Sequence, residues 1–152
     1  LPARARQPAT IRAGRILMIR YMLYTNIAIY VIKRRPPEAL ETFNRMASMM
    51  CVSSITEAEL LHGAEKSQQR ERNLYQVADF LSRLDVLPYT SKAAGHYGDI
   101  RADLERKGTP IGVNDLHIAA HARSEGLVLV SNNLKEFERV AGLRLENWVK
   151  DC

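Results

Sequence analysis

The sequence predicts an α/β domain in which helices cover both faces of a central, mainly parallel β-sheet. Short apolar runs alternate along the chain with longer segments of helical periodicity, as in sheets whose strands are joined by crossover helices. The runs "MMCVSS" and "LVLVS" do not alternate apolar with polar residues, as expected of strands buried on both faces. Gly108 and Gly126 each follow a helical segment, where a C-terminal cap is expected.

The first strand and the first two helices are predicted within residues 21–46. Residues 21–24 are predicted to form an apolar strand, and a helix is predicted from Asn26 to about residue 33, with Thr25 or Asn26 near its N-cap. The prolines of "KRRPP" end this helix, because the residue before a proline avoids helical geometry. A second helix is predicted from residue 38 to residue 46.

The segment "MMCVSS" is predicted to be the second strand, and two helices follow it. Thr56, with Glu59 three residues later, predicts a capping box at the start of a helix that runs to about residue 66. The next helix has an apolar stripe at helical spacing, formed by Leu74, Val77, Phe80, Leu81 and Leu84.

The second half of the chain repeats the alternation of strands and helices. A strand at "DVLPY" precedes a long helix over residues 91–107, which Gly108 closes. Asn114 is predicted to cap the helix "DLHIAAHARSE", which Gly126 ends. The strand "LVLVS", a short helix within "NNLKEFERV" and an edge strand at "LRLENWV" complete the expected fold.

Charge and length bound the function. The 152 residues carry a net charge of +5, but residues 1–20 contain five arginines and no acid. The rest of the chain has 17 basic and 17 acidic residues, so its net charge gives no indication of nucleic-acid binding. No apolar run approaches the ~20 residues of a membrane span, so no membrane partner is expected.

We expect residues 1–17 to be a disordered or non-native extension and residues 18–150 to form a single domain. The chain has two cysteines: Cys51 lies in an apolar run and Cys152 is the last residue. A disulfide framework is therefore not expected, and a reducing cytoplasm is the expected compartment.

Polar residues that follow the predicted strands mark a candidate pocket, because ligands of open α/β sheets bind at the carboxyl ends of the strands. Three acids belong to this set by position: Glu59, Asp115 and Glu136. Each has a structural explanation, since Glu59 completes the capping box and Asp115 favours a helix N-terminus. Together they favour a site for Mg²⁺, which prefers carboxylate oxygens, with Mn²⁺ as a second candidate ion.

The histidines do not indicate a zinc site. His117 and His121 are four residues apart on one helix, but "HIAAH" lacks the glutamate of the metalloprotease motif and no third ligand lies nearby. We expect both side chains to lie on the more polar side of the helix, because Ile118, Ala119 and Ala122 form its apolar face. No glycine-rich phosphate-binding loop is present.

Four segments resemble, in order and spacing, the PIN-domain ribonucleases and in particular the VapC-type toxins of bacterial toxin–antitoxin pairs. They are "YMLYTNIAIYVI", "CVSSITEAELLHGAEKS", "GTPIGVNDLHIAAHA" and "LVLVSNNLKEFERV", and the likeness extends over about residues 18–148. The resemblance implies a PIN-like three-layer α/β/α sandwich with an acidic Mg²⁺ pocket. It also implies metal-dependent endonucleolytic cleavage of structured RNA, commonly tRNA.

The resemblance implies partners as well: a cognate VapB-like antitoxin that blocks the site, operator DNA bound through that antitoxin, and a homodimer or a larger toxin–antitoxin assembly. Glu59 and Asp115 match two family acids, and Ser131 matches the hydroxyl residue that ends the last core strand. Where the family often has another acid, this chain has asparagines, and Glu136 could serve instead. The residues expected to support the substrate or the pocket are Thr25, Asn26, Ser131 and Asn133.

The first acid of the family falls on Tyr24, because the usual run is Asp-Thr-Asn and this chain has Tyr24-Thr25-Asn26. A phenol has a pKa of about 10 and gives no anionic ligand at pH 7. We therefore expect a chain that folds but binds Mg²⁺ weakly and cleaves RNA poorly. Two alternatives remain: an inactive subunit that only binds an antitoxin, and a receiver-like domain, for which "SSITEAE" lacks the phosphoacceptor aspartate.

Overall fold

The computed structural model describes residues 18–149. The predicted extension over residues 1–17, and residue 150 at the end of the predicted domain, lie outside the described residues. None of the helices in the described part of the chain is long and apolar enough to cross a membrane.

Five parallel strands form one sheet in the order β3-β2-β1-β4-β5. The strands are β1 (Tyr21–Leu23), β2 (Met50–Ser53), β3 (Asp85–Leu87), β4 (Val128–Val130) and β5 (Arg144–Glu146). Both neighbours of β1 are registered against it, with Tyr21 opposite Met50 on one side and Val128 on the other. The predicted α/β class with a mainly parallel sheet is confirmed.

Seven α-helices connect the strands within the described residues. They are α1 (Thr25–Lys33), α2 (Pro37–Met46), α3 (Ser54–Glu65), α4 (Arg70–Ser82), α5 (Ser91–Arg106), α6 (Val113–Ser124) and α7 (Leu134–Phe137). A 3-10 turn, Ala47–Met49, leads from α2 into β2. Each predicted helix is present, with its ends within a few residues of the expected positions.

Each face of the sheet carries its own apolar core, because alternate residues of a strand point to opposite faces. Met22 of β1 and Leu129 of β4 pack with α5 and α6 on one face. Leu23 and Val130, the next residue in each strand, pack with Phe43 and helices α1 to α4 on the other. The lack of alternation in the strand sequences follows from this double burial.

The order of the strands creates a crevice at the carboxyl ends of β1 and β4. The chain passes from β1 to β2 on one side of the sheet and places β4 on the other side of β1. A sheet whose order reverses in this way opens a cleft between the loops that leave the two strands. The residues after β1 and β4 are therefore brought to a common site.

Two predicted helix caps are wrong. Thr56 is not the N-cap of α3: the cap is Ser53, whose Oγ accepts a hydrogen bond from the backbone N–H of Ile55, while Thr56 is fully buried within the first turn. The N-cap of α6 is Gly112, and Asn114 lies inside that helix. In both helices the first turn begins earlier than the polar residue that suggested the cap.

Candidate active site

Tyr24 stands at the centre of the crevice. It follows β1 directly and is the N-cap residue of α1. Its phenol donates a hydrogen bond to Asp115 Oδ1 over 2.7 Å, and its ring packs edge-on against Phe137 with centroids 5.0 Å apart. A side chain from the end of β1 is thus tied to the first turn of α6 and to α7.

Glu59 is held from two directions. Thr25 Oγ1 donates to Glu59 Oε1 over 2.6 Å, and Asn114 Nδ2 donates to Oε2 over 3.3 Å. Thr56 lies 3.1 Å from Thr25 Oγ1, and because the Thr25 proton goes to Glu59, the Thr56 hydroxyl donates in this pair. The carboxylate is therefore fixed by residues from α1 and α6.

The electrostatics of Tyr24 show that three acids converge on it. Burial raises the pKa of the Tyr24 phenol far above its usual value, and the hydrogen bond to Asp115 raises it further. The negative charges of Asp115, Glu59 and Glu136 all act in the same direction. The phenol is consequently neutral at any physiological pH, and the predicted acids share one pocket with it.

The amide residues form the other wall of the crevice. Asn26 donates to the side chain of Asn132, which in turn donates to the Tyr30 hydroxyl over 2.7 Å. Ser131 is fully buried and its Oγ accepts from the backbone N–H of Asn133 over 2.8 Å. Asn26 and Asn132 therefore link the loops after β1 and β4, whereas Ser131 shapes the turn that leads into α7.

The donor set does not fit a preformed site for a divalent ion. Within residues 18–149, no three side chains of His, Cys, Asp or Glu are placed so that they could hold a metal ion. Asp115 Oδ1 accepts a hydrogen bond from the Tyr24 hydroxyl, and both carboxylate oxygens of Glu59 also accept hydrogen bonds. A neutral phenol stands among the carboxylates, and its hydrogen bond takes up a carboxylate oxygen that an ion would need.

The prediction that both histidines of α6 lie on a polar side is wrong for His121. His121 is fully buried, and its Nδ1 lies 2.8 Å from Ser53 Oγ. His117 is half-buried, with Nδ1 2.8 Å from the Tyr89 hydroxyl and its ring stacked on Tyr97. Most residues from Leu116 to Ser124 are buried because the helix packs between the sheet and α5, and no zinc-like pairing of the two rings results within the described residues.

Sequence reasoning missed Asn114 as a pocket residue. It was assigned to a cap, but its amide reaches across to Glu59 from the helix that also carries Asp115. The signal was present in the adjacent pair "ND" at the start of a helix, since both side chains of such a pair can face the same crevice. Asn132 follows a predicted strand, but its contact with Asn26 depends on the tertiary fold.

Comparison with known proteins places the chain among close relatives. A family model described as the PIN domain matches residues 21–143. The chain is 65% identical over 132 residues to ribonuclease VapC2 of Haemophilus influenzae. The alignment covers 87% of this chain and all of the relative. The chain is also 56% identical over 131 residues to the tRNA(fMet)-specific endonuclease VapC of Salmonella typhimurium, covering 86% and 99% of the two chains.

The fold agrees with a solved structure. The crystal structure of DNA-bound VapBC from Salmonella typhimurium contains a chain that superimposes with a TM-score of 0.83 and 55% sequence identity. The match covers 86% of the present chain and 99% of the other. The five-strand parallel sheet and its helices are therefore shared with a protein of closely similar sequence.

Proposed function

Because the chain belongs to the PIN-domain family, and within it to the VapC-type ribonucleases, we propose that it is the toxin subunit of a toxin–antitoxin pair whose RNA-cleaving pocket is impaired. PIN-domain nucleases generally use a divalent metal ion, and Mg²⁺ is the ion we propose for the unimpaired pocket. The family match over residues 21–143 removes the receiver-like alternative.

The single observation that carries this proposal is the Tyr24–Asp115 hydrogen bond in the middle of the acidic pocket. A carboxylate at this position would add an anionic oxygen ligand, whereas the phenol adds a neutral donor and a bulky ring. The neutral phenol adds no fourth negative charge to those of Asp115, Glu59 and Glu136, so we expect folding not to be impaired. The chain keeps the fold and most of the pocket, and loses the charge needed to bind the ion.

The proposed substrate is structured RNA, and tRNA in particular. A relative 56% identical to this chain carries the name tRNA(fMet)-specific endonuclease. In this chain Thr25 and Asn114 orient Glu59, and Tyr24 orients Asp115, so the side chains face the crevice where a phosphodiester would lie. The proposed reaction is hydrolysis: water attacks a phosphodiester of the RNA backbone, and the P–O bond to one of its two nucleosides is broken.

The test compares three chains for Mg²⁺-dependent cleavage of tRNA and for growth arrest on expression. We expect the present chain to be at least 100-fold slower than Tyr24→Asp, because a mispositioned or missing catalytic group costs about this factor. Tyr24→Asn is the matched control, since it has the size of aspartate without its charge and should stay inactive. Equal activity of the present chain and Tyr24→Asp would sink the proposal.

The second candidate function is an inactive toxin-like subunit that binds an antitoxin and, through it, operator DNA. The neutral Tyr24 in the pocket favours this candidate for the present chain. If Tyr24→Asp still cleaves no RNA while the chain co-purifies with an antitoxin, the binding function is the correct one. Recovery of cleavage by Tyr24→Asp would favour the impaired enzyme.

We propose that the partner is a VapB-like antitoxin, because the structure that superimposes on this chain is a DNA-bound VapBC complex. A cavity of about 430 Å³ lies between α1, α2 and α4, with Val31, Leu40 and Phe43 among the residues that line it. Arg34 and Arg72 lie at the same cavity. Its chemistry fits an apolar antitoxin segment that carries acidic residues.

Exposed residues of this cavity allow a test that leaves the core intact. Arg72→Glu reverses one charge of the cavity, and Tyr75→Glu places a charge on a side chain that is 74% exposed. We expect each to weaken antitoxin binding at least tenfold in a titration with a fluorescent antitoxin peptide. Arg106→Glu, on the exposed face of α5, is the control, and an equal effect there would place the contact elsewhere.

We further propose that residues 18–150 act as one domain in the cytoplasm, where tRNA and the antitoxin are found. A toxin homodimer within a larger toxin–antitoxin assembly is the proposed state. Light scattering of the chain with and without antitoxin tests this assignment, and a monomer in both samples would contradict it.

A further inference from the structure

A buried histidine joins the two helices that carry the acids of the pocket. His121 lies on α6, six residues after Asp115, and has no exposed surface. Its Nδ1 is 2.8 Å from the Oγ of Ser53, which is equally buried. Ser53 is the N-cap of α3, the helix that carries Glu59.

One oxygen therefore serves two contacts. The Oγ of Ser53 accepts the backbone N–H of Ile55 over 3.0 Å and also pairs with His121, which a hydroxyl with one proton and two lone pairs permits. The Tyr89 ring packs edge-on against the imidazole at 5.5 Å between centroids and limits its rotation. The contact is enclosed, so water does not compete for it.

We propose that His121 is a positioning residue: through Ser53 it fixes the spacing of α3 and α6, and thereby holds Glu59 and Asp115 across the same pocket. The inference rests on the proposed function in one respect, namely that this pocket is where RNA is cleaved. His121 and Ser53 hydrogen-bond to each other, whereas the hydrogen bonds to Glu59 and Asp115 come from other side chains, so the effect of His121 is transmitted by the two helices.

The first test uses the Tyr24→Asp chain, in which cleavage is expected to be measurable. Adding His121→Ala should lower kcat about 10–100-fold and leave KM for tRNA within about threefold, because a shift of about 1 Å in a catalytic group costs about 100-fold. His121→Asn should recover most of the loss, since its amide can take the place of Nδ1 opposite Ser53. Ile118→Ala, another fully buried change on α6, is the control for lost stability.

The outcome that overturns the inference is an equal fall in kcat for His121→Ala and Ile118→Ala at matched loss of Tm. Failure of His121→Asn to recover activity would also overturn the inference. It would show that the loss in His121→Ala comes from the missing volume of the side chain and not from the missing hydrogen bond to Ser53. A rise in KM with unchanged kcat would assign His121 to RNA binding and contradict positioning.

A second readout needs no cleavage and uses the chain with Tyr24 in place. The Tyr24 hydroxyl proton is held by Asp115 of α6, so its solvent exchange, followed by NMR, reports the geometry of the pocket. We expect His121→Ala to speed this exchange at least tenfold and Ile118→Ala to leave it within about twofold. If the exchange rate of the Tyr24 hydroxyl proton is unchanged in His121→Ala, the inference is overturned. If the exchange is faster in His121→Ala but the Tyr24→Asp chain cleaves no RNA, only the proposed function is overturned.

Discussion

The proposed loss of activity depends on a single side chain, Tyr24. The phenol donates to Asp115 and is surrounded by the charges of Glu59 and Glu136. A carboxylate here would be the fourth acid of one pocket, and crowded carboxylates repel one another. We therefore expect Tyr24 to provide a hydrogen bond to Asp115 where an acid would provide a charge for an ion to balance.

The stability of the Tyr24→Asp variant should depend on divalent ions. Without an ion, we expect its free energy of unfolding to lie about 1–2 kcal/mol below that of the present chain, because a hydrogen bond to a charged group is lost and a like charge is added. Saturating Mg²⁺ should restore about 2–3 kcal/mol, as for any ligand bound only by the folded state. Urea titrations in EDTA measure the loss of stability without an ion, and titrations in Mg²⁺ measure the stabilisation by the ion. An identical stabilisation by Mg²⁺ in the chain with Tyr24 would show that Tyr24 does not prevent ion binding.

His121 should make stability fall in mild acid. Burial lowers its pKa from 6.5 to about 4, although the Pro88 backbone weakly opposes the shift. The unfolded chain therefore binds a proton first as the pH falls, so the stability that is present above pH 6.5 is lost progressively by about pH 4. The full effect is of the order of 3 kcal/mol, since one pKa unit corresponds to about 1.4 kcal/mol.

The measurement is the free energy of unfolding at pH 7 and pH 4.5 for the present chain and for His121→Asn. Carboxylates contribute to both chains, for example Asp99, whose pKa the neighbouring Arg123 lowers. The two chains differ in how much their free energy of unfolding changes between pH 7 and pH 4.5, and this difference is the contribution of His121. Parallel pH profiles for the two chains would show that His121 is not the group that titrates.

The residues of the pocket were predictable only in part. Tyr24, Glu59 and Asp115 follow from their positions after strands and at helix starts, because parallel strands bring such positions to one edge. The burial of His121 was not predictable, since Ser53 and Tyr89, which pack against it, come from distant parts of the chain. The contacts of Asn114 and Asn132 join residues more than 50 positions apart, beyond the reach of local patterns.

Among the helices, α1 ends with a residue in left-handed geometry. Arg34 has a φ of 57°, and its backbone N–H reaches the carbonyl oxygens of Tyr30 and Val31. This conformation is disfavoured for residues with a Cβ and is usual for glycine at a helix end. We expect Arg34→Gly to raise the free energy of unfolding by about 0.5–1 kcal/mol, measured by thermal and urea unfolding.

The C-cap of α3 provides the control for this change. Lys66 has a φ of −86°, so Lys66→Gly relieves no strain and should be neutral or destabilising. Equal stabilisation by Lys66→Gly and Arg34→Gly would show that φ at Arg34 is not the cause.

The helix and strand types were predictable, whereas their first residues were not. The apolar stripe of α4 is confirmed for Val77, Phe80 and Leu81, which are buried, whereas Leu74 is only partly buried and Leu84 lies beyond the end of the helix. The predicted N-caps of α3 and α6 are wrong because each helix begins before the polar residue that suggested the cap. The N-caps in the structure are Ser53 and Gly112. Sequence patterns define the segment, and packing decides where its first turn begins.

At the scale of the whole molecule, the alternation of strands and helices predicted a parallel sheet but not its strand order. The order β3-β2-β1-β4-β5 places β1 in the middle and makes the crevice between β1 and β4. That order depends on contacts between distant segments, which no local pattern specifies. The positions of the acids after strands and at helix starts predicted that they would meet at one edge of the sheet, but not between which strands.

We propose that residues 18–149 hold no divalent-ion site because Tyr24 stands where the family has an acid. Mn²⁺ titration followed by electron paramagnetic resonance, with Tyr24→Asp and Tyr24→Asn measured in parallel, tests it most directly. We predict saturable binding in the micromolar to low millimolar range for Tyr24→Asp, and at least tenfold weaker binding for the other two chains. Equally tight binding of Mn²⁺ by the chain with Tyr24 would contradict the account.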